Sequence, residues 1–357
     1  MSPLQFAVVG SGWRAEFFVR VARLLPDRFT CVGVVTREAE RGAWVEREWS
    51  VPTVRSIGEL PALSPDLVVT STPWPVTPGA VTELASLGLR VLAETPPAPD
   101  AEGLRALWAA VGASGLVQVA EHSPFMPMHQ ARIAAVESGL IGRPTSVQVS
   151  STHLYHAAGL IRAILGVGRG PVVVRSSRFT APLVDPMTRD GWNGRAEPIE
   201  RSTILATLDF GDGRSALYDF TDNQWHNPLR SNRIVIRGEK GEIVDDAVTR
   251  WVDERTITTS AFHRWQTGIE QNLDGWDTQH ISLDGRVLWR NPFEGARLAD
   301  DDVAVATLLQ RCAAWVHDEG PEPYPLADGS QDHLIGLAIE ESARTGLPVT
   351  AGPEAWA

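Results

Sequence analysis

The chain has only two cysteines in 357 residues, Cys31 and Cys312, far apart and each inside an apolar run. That scarcity excludes a disulfide scaffold, and buried free thiols fit a reducing cytoplasm. No histidine or cysteine pair stands at helical metal spacing with an acid beside it, so no metal site is expected. Positive charge is also short: 32 lysines and arginines face 44 aspartates and glutamates, a formal net charge of −12. Nucleic acid is therefore excluded as the main partner. No stretch approaches the roughly 18 uninterrupted apolar residues of a membrane span. The start MSPLQFAVVG lacks the basic region of an export signal, so neither membrane insertion nor export is expected. Repeats, low-complexity tracts and long linkers are absent too. What is left is a chain of ordinary apolar content, long enough for two packed domains.

Residues 1–122 alternate short apolar runs with helical periodicity. FAVVG (6–10), CVGVV (31–35), DLVVTST (66–72), RVLAE (90–94) and GLVQVA (115–120) read as buried strands. Helices are expected at about 14–25, 38–49 and 100–111, with a fourth ending near Gly88. Continuous apolar strands separated by helices predict an α/β domain, a parallel sheet with helices on both faces. The first strand-to-helix turn is GSGWRA, Gly10 to Ala15. Gly10 allows the tight turn, Gly12 lets backbone approach a pyrophosphate, and Ala15 packs helix close to strand, which is the pattern of a dinucleotide site. Gly10, Ser11, Gly12, Trp13 and Arg14 are the candidate phosphate contacts. At the end of the second strand, where an acid would hold a free ribose hydroxyl, stand Thr36 and Arg37. A hydroxyl and a guanidinium suit a 2′-phosphate better, so NADP is expected over NAD.

Residues 123–357 have a different rhythm. After a helix at about 124–138, TSVQVSSTH, VVVRSSRF, TILATLDF, RSALYDF and NRIVIRG place apolar residues at every second position, and GEKGEIV reads as a hairpin turn. With helices at about 300–317 and 330–345, this predicts an α+β domain carrying a large, mostly antiparallel open sheet. Thirteen tryptophans are numerous, and core packing or subunit contact accounts for most such residues.

STPWP after one strand, AETPP (93–97) at the end of another, SGLIGRPTSVQVS (138–150), His156 ahead of Leu165-Gly166, and AIEESARTGLPV (338–349) occur in that order. In this arrangement the whole chain resembles the Gfo/Idh/MocA family of glucose-fructose oxidoreductases and inositol dehydrogenases. The resemblance implies hydride transfer between a nicotinamide and a small, sugar-like alcohol, ketone or related imine. It places Ser71, Thr72, Pro73, Glu94, Thr95, Pro96 and His122 around the cofactor, with a cis bond before Pro96. The family's usual Glu-Lys-Pro reads Glu94-Thr95-Pro96 here, and threonine can position a substrate but cannot titrate. The family's Asp, four residues before its catalytic His, falls on Thr152. His156 is left as the candidate acid–base residue, with Tyr155 beside it, and Thr152, His153, Trp225 and His226 as candidate substrate contacts. His129 is expected to be structural. The same resemblance admits a nucleotide-binding regulatory protein without turnover, or a glycosidase that retains its cofactor. It also implies a homodimer or homotetramer formed through the C-terminal sheet.

Overall fold

The computed structural model describes residues 3–357, apart from 269, 271, 273 and 274. Its first unit holds β1 (Leu4–Val9), β2 (Phe29–Val35), β3 (Thr53–Val54), β4 (Leu67–Thr70), β5 (Val91–Ala93) and β6 (Val117–Val119), in the spatial order β3-β2-β1-β4-β5-β6. Every pairing is parallel. Phe6, Ala7, Val8, Leu67, Val69, Leu92 and Ala93 have no exposed surface, so these strands need cover on both faces. Helices α1 (Trp13–Leu24), α2 (Ala39–Trp49), α3 (Thr77–Ser86) and α4 (Ala101–Val111) connect them. Strand order reverses between β1 and β4, which opens a crevice at the carboxyl ends of the strands.

The chain continues through α5 (Pro127–Glu137), β7 (Pro144–Ser150), α6 (Leu154–Leu165), β8 (Val172–Leu183) and the short pair β9 (Met187–Thr188) and β10 (Gly191–Trp192). Then come β11 (Ile199–Gly211), β12 (Arg214–Thr221), β13 (Arg233–Gly238), β14 (Gly241–Val244), β15 (Ala247–Asp253) and β16 (Thr256–Ala261). Strands β17 (His263–Thr267), β18 (Asp277–Leu283) and β19 (Arg286–Arg290) form a separate small sheet. Helices α7 (Asp300–Val316) and α8 (Leu326–Thr345) and strand β20 (Val349–Ala351) complete the chain. The large sheet has nine strands in the order β16-β15-β14-β13-β7-β12-β11-β8-β20, and only β7 and β12 run parallel within it. Period-two alternation sorts its faces: Ile204, Ala206 and Leu208 face the core with Ile161, Ile335 and Ile339 of α6 and α8, while Leu205, Leu217 and Phe179 lie on the open face.

This is the α/β unit followed by a sheet domain that the sequence predicts. The differences are local. Helix α5 starts at Pro127 rather than 124, because Ser123–Phe125 form a 3-10 turn and Pro127 suits the first helical position. Helix α8 starts four residues before the expected 330, directly after Pro325. Residues beyond the small sheet return to the first unit: Phe293, Leu298, Val303, Leu308, Leu309 and Cys312 share one core with Leu4, Phe6, Phe18 and Val21. Arg20 Nη2 donates to Asp302 Oδ1 at 2.6 Å across that contact. Cys312 is fully buried and Cys31 partly so, and burial pushes the Cys31 thiol up to about 12, which leaves it a poor nucleophile. Among the described residues no helix is long and apolar enough to cross a membrane.

Candidate functional site

The crevice is shaped first by Gly10. Its φ is +107°, and a Cβ there would lie 2.2 Å from the Ser71 carbonyl oxygen, so no other residue lets β1 turn so close to the end of β4. Gly12 differs: a Cβ there would meet nothing within 4 Å, so its backbone borders open space at the start of α1. Gly12 caps that helix without any side-chain hydrogen bond, which leaves the first amide N–H groups free to receive an anionic group. The turn therefore fits the pyrophosphate of a dinucleotide. Ser71 is half-buried at the far wall, and Thr72 Oγ1 lies 2.9 Å from Thr77 Oγ1, which fixes the loop before α3 with Pro73 inside it.

At the end of β2, Thr36 is buried and Arg37 is exposed. Two arginines that sequence reasoning missed stand closer in. Arg55 Nη1 donates to Thr36 Oγ1 at 3.0 Å and to Thr53 Oγ1 at 2.8 Å. Arg41 Nε donates to Ser11 Oγ at 3.0 Å, and its guanidinium lies 3.9 Å from the Trp44 ring centroid. Arg41 thus ties α2 to the glycine turn. No motif marks either residue, because the contacts depend on how α2 and β3 fold back over β2.

The far side of the crevice holds His156. Helix α6 begins at Leu154, whose φ is +35° and whose N–H donates to Tyr218 Oη at 3.2 Å, and this fixes the first turn that carries Tyr155 and His156. His156 Nδ1 lies 2.6 Å from Glu121 Oε2, just past the end of β6. Burial works to raise the Glu121 carboxyl, but the facing His156, the hydrogen bond between them and nearby His122 together bring it down to about 2. An ionised carboxylate can only accept, so Nδ1 carries a proton and donates it to Glu121, which leaves Nε2 as the nitrogen free to exchange one. Glu121 is the principal residue that sequence reasoning missed. The one signal for it is an acid that ends a buried apolar run, in AEH at 120–122.

A second chain of polar contacts crosses the crevice. Arg14 Nε donates to Glu94 Oε2 at 2.7 Å, and Arg14 Nη2 donates to His122 Nδ1 at 3.1 Å. A guanidinium has no acceptor, so His122 Nδ1 accepts and its Nε2 carries the hydrogen, 3.5 Å from Asp301 Oδ1 on α7. Burial works to raise the Asp301 carboxyl, but its hydrogen bond with His122 and the nearby Arg14 charge lower it. The Thr95-Pro96 peptide bond beside Glu94 is cis, as the resemblance implies. Thr95 hydrogen-bonds the Tyr155 hydroxyl, and burial raises that hydroxyl, so Tyr155 is neutral near neutral pH.

The expected substrate contacts converge in part. His153 lies 5.0 Å from His156 and 4.6 Å from Trp225 between ring centroids, and Trp225 is half-exposed. Burial, reinforced by His156, lowers His153 to about 3, and its buried Nδ1 has no partner among the described residues. The Trp225 loop is anchored by Asn223, whose Nδ2 donates to Asp185 Oδ1 at 2.7 Å. Thr152 and His226 make no side-chain hydrogen bond among the described residues, and both are half-buried. His129 is buried, with its Nδ1 3.3 Å from Arg132 Nη1, away from this cluster. Among the described residues no group of three or more histidines, cysteines or acids is placed to hold a metal ion.

Residues 4–122 match the family model described as GFO_IDH_MocA, oxidoreductase family, NAD-binding Rossmann fold. No curated protein matches the chain in sequence. Three solved structures share the fold over nearly the whole length. A levoglucosan dehydrogenase in complex with NADH and levoglucosan is 17% identical, with 98% of this chain and 100% of that one covered and a TM-score of 0.70. An oxidoreductase from Agrobacterium radiobacter in complex with NAD+, L-tartaric acid and magnesium is 16% identical, with 97% and 98% covered and a TM-score of 0.67. A myo-inositol dehydrogenase from Corynebacterium glutamicum is 18% identical, with 99% and 100% covered and a TM-score of 0.66.

Proposed function

We propose, since residues 4–122 match the family model for the NAD-binding Rossmann fold of Gfo/Idh/MocA oxidoreductases, that the chain is a nicotinamide-dependent dehydrogenase or reductase of small, sugar-like hydroxy compounds, with His156 as its acid–base residue. The observation that carries this reading is the 2.6 Å pairing of His156 with buried Glu121 at the carboxyl ends of the sheet, in the crevice that the glycine turn opens. The bound nicotinamide supplies the hydride acceptor or donor. The protein's own residues supply the proton. His156 Nε2 takes the hydroxyl proton as an alcohol is oxidised and returns one as a carbonyl is reduced. Glu121 keeps the ring in that tautomer and stabilises the imidazolium that forms, as a carboxylate behind a catalytic histidine does. Thr95 and neutral Tyr155 position the substrate, and neutral His153 and half-exposed Trp225 offer a ring surface against which a sugar can pack.

NADP is the cofactor this reading favours over NAD. The position that would carry a ribose-binding acid is Thr36, which Arg55 contacts directly, and Arg41 adds a second guanidinium at Ser11 of the glycine turn, beyond the Thr36 and exposed Arg37 that were expected to serve. Fluorescence titration should give an NADPH dissociation constant about tenfold or more below that for NADH, with the gap closing in Arg55→Met. Equal affinities would remove the NADP preference, and binding of neither cofactor would remove the dinucleotide reading. Turnover is then sought with levoglucosan, myo-inositol and L-tartrate, the compounds named with the three structural neighbours or their enzymes. Cofactor binding with no turnover on this panel or on a wider one of sugars, imines and keto acids would favour a regulatory protein instead.

The open face of the nine-stranded sheet carries Phe179 (55% exposed), Leu205 (43%) and Leu217 (41%). We expect it to be covered by a second copy, which makes the working form a homodimer or a tetramer built from such pairs. Light scattering at micromolar concentration should report at least twice the 38.9 kDa chain mass. A monomer would contradict this.

A further inference from the structure

We propose that Arg14 is a catalytic residue that holds the oxygen of the reacting carbon, a role distinct from the phosphate contact its place in the glycine turn implies. The inference rests on the oxidoreductase reading above. Three observations carry it. Arg14 springs from α1, next to β1, yet its guanidinium reaches past β4 to Glu94 at the end of β5 and to His122 beyond β6. That direction leads from the phosphate side of the crevice towards His156, whose ring centroid lies 5.8 Å from that of His122. The side chain is also well enclosed, with 13% exposure, so its charge acts in a poorly screened setting. Finally, the chain contains a single lysine, Lys240, on the turn between β13 and β14, so no lysine amine can supply a cation to the crevice.

The nitrogen inventory defines the role. Nε is committed to Glu94 and one N–H of Nη2 to His122, while Nη1 has no hydrogen bond among the described residues. Glu94 and His122 hold the guanidinium rigid, and Nη1 remains to donate to a substrate oxygen. In the oxidation direction the C–H bond breaks and its hydrogen leaves with the electron pair, as hydride, to the oxidised nicotinamide. The O–H proton passes to His156 Nε2, and the carbon–oxygen bond becomes a carbonyl. Negative charge builds on that oxygen as the proton departs, and Nη1 stabilises it. In reduction the same contact polarises the carbonyl.

Arg14→Met in the full-length protein tests this. The expected result is an NADPH dissociation constant within about threefold of wild type, a kcat lower by about 10² to 10³, and partial recovery on adding millimolar ethylguanidinium. Arg14→Lys, which keeps a cation, should retain more activity than Arg14→Met. Loss of NADPH affinity by tenfold or more in Arg14→Met would overturn the proposal in favour of a phosphate-binding role. Unchanged kcat with intact NADPH binding would overturn it and leave the oxidoreductase reading standing. A wild-type protein that binds NADPH but turns over no substrate would overturn both.

Discussion

His156→Ala is expected to lower kcat by about 10² to 10⁴, the range for removing a positioned acid–base group, while NADPH binding changes little. The split follows from the geometry. His156 sits on α6, which follows the parallel sheet in the chain, whereas the glycine turn at Gly10 to Gly12, where we propose the pyrophosphate binds, belongs to the first unit. Truncation to alanine leaves the Glu121 carboxylate buried without its partner, so the melting temperature of each variant must be measured beside its kinetics. His156→Gln keeps a polar group of similar length against Glu121 but cannot titrate, and it should be as inactive as the alanine variant. Turnover within about threefold of wild type in His156→Gln would assign proton transfer to another group.

Glu121→Gln should cost nearly as much, about 10³ to 10⁴ in kcat, although Glu121 is expected to touch no substrate atom. An amide can turn its NH₂ towards His156 Nδ1, which moves the ring proton to Nε2 and removes the lone pair that takes the substrate proton. Glu121→Asp, which keeps the charge on a shorter arm, should recover part of the loss, and a purely space-filling role would show no such order. The same variant has a signature in acid. Glu121 is held at about 2 in the folded protein against an ordinary 4.5, because His156 and the hydrogen bond outweigh its burial. The unfolded chain therefore binds this proton more readily than the folded one. The stability Glu121 contributes is complete above about pH 4.5 and is lost as pH falls towards 2. Melting temperatures recorded across that window should fall less steeply in Glu121→Gln than in wild type. Parallel curves would mean that the carboxyl is not held down by its partner.

Much of the fold was legible because its signals are local. Five apolar runs in the first 122 residues became five of the six parallel strands, since strands buried on both faces cannot hide polar residues. The sixth, β3, has two residues and escapes any periodicity. GSGWRA was legible for the same reason: a glycine pressed against the Ser71 carbonyl leaves a mark in the sequence itself. The partners of His156 and Arg14 left no such mark. Glu121 is 35 residues from His156, and Glu94 is 80 from Arg14. These pairs exist only because β5, β6 and the start of α6 bring their ends to one crevice. Thr95 and Thr152, read as losses of a lysine and an aspartate, indicate where charge is absent. They could not indicate that Arg14 and Glu121 bring a cation and a carboxylate into the same crevice from other elements.

The return of α7 to the first unit bears on how the protein is made. Val303, Leu308 and Leu309 fill the core that Phe6, Phe18 and Val21 open, each contributing roughly 1.5–3 kcal/mol on burial. A nascent chain that has emerged only as far as residue 122 therefore carries a complete parallel sheet with one flank uncovered. It must remain in that sticky condition while nearly two hundred further residues are synthesised. The parallel-sheet unit thus gains the cover of its last flank only from residues that follow it by nearly two hundred positions in the chain.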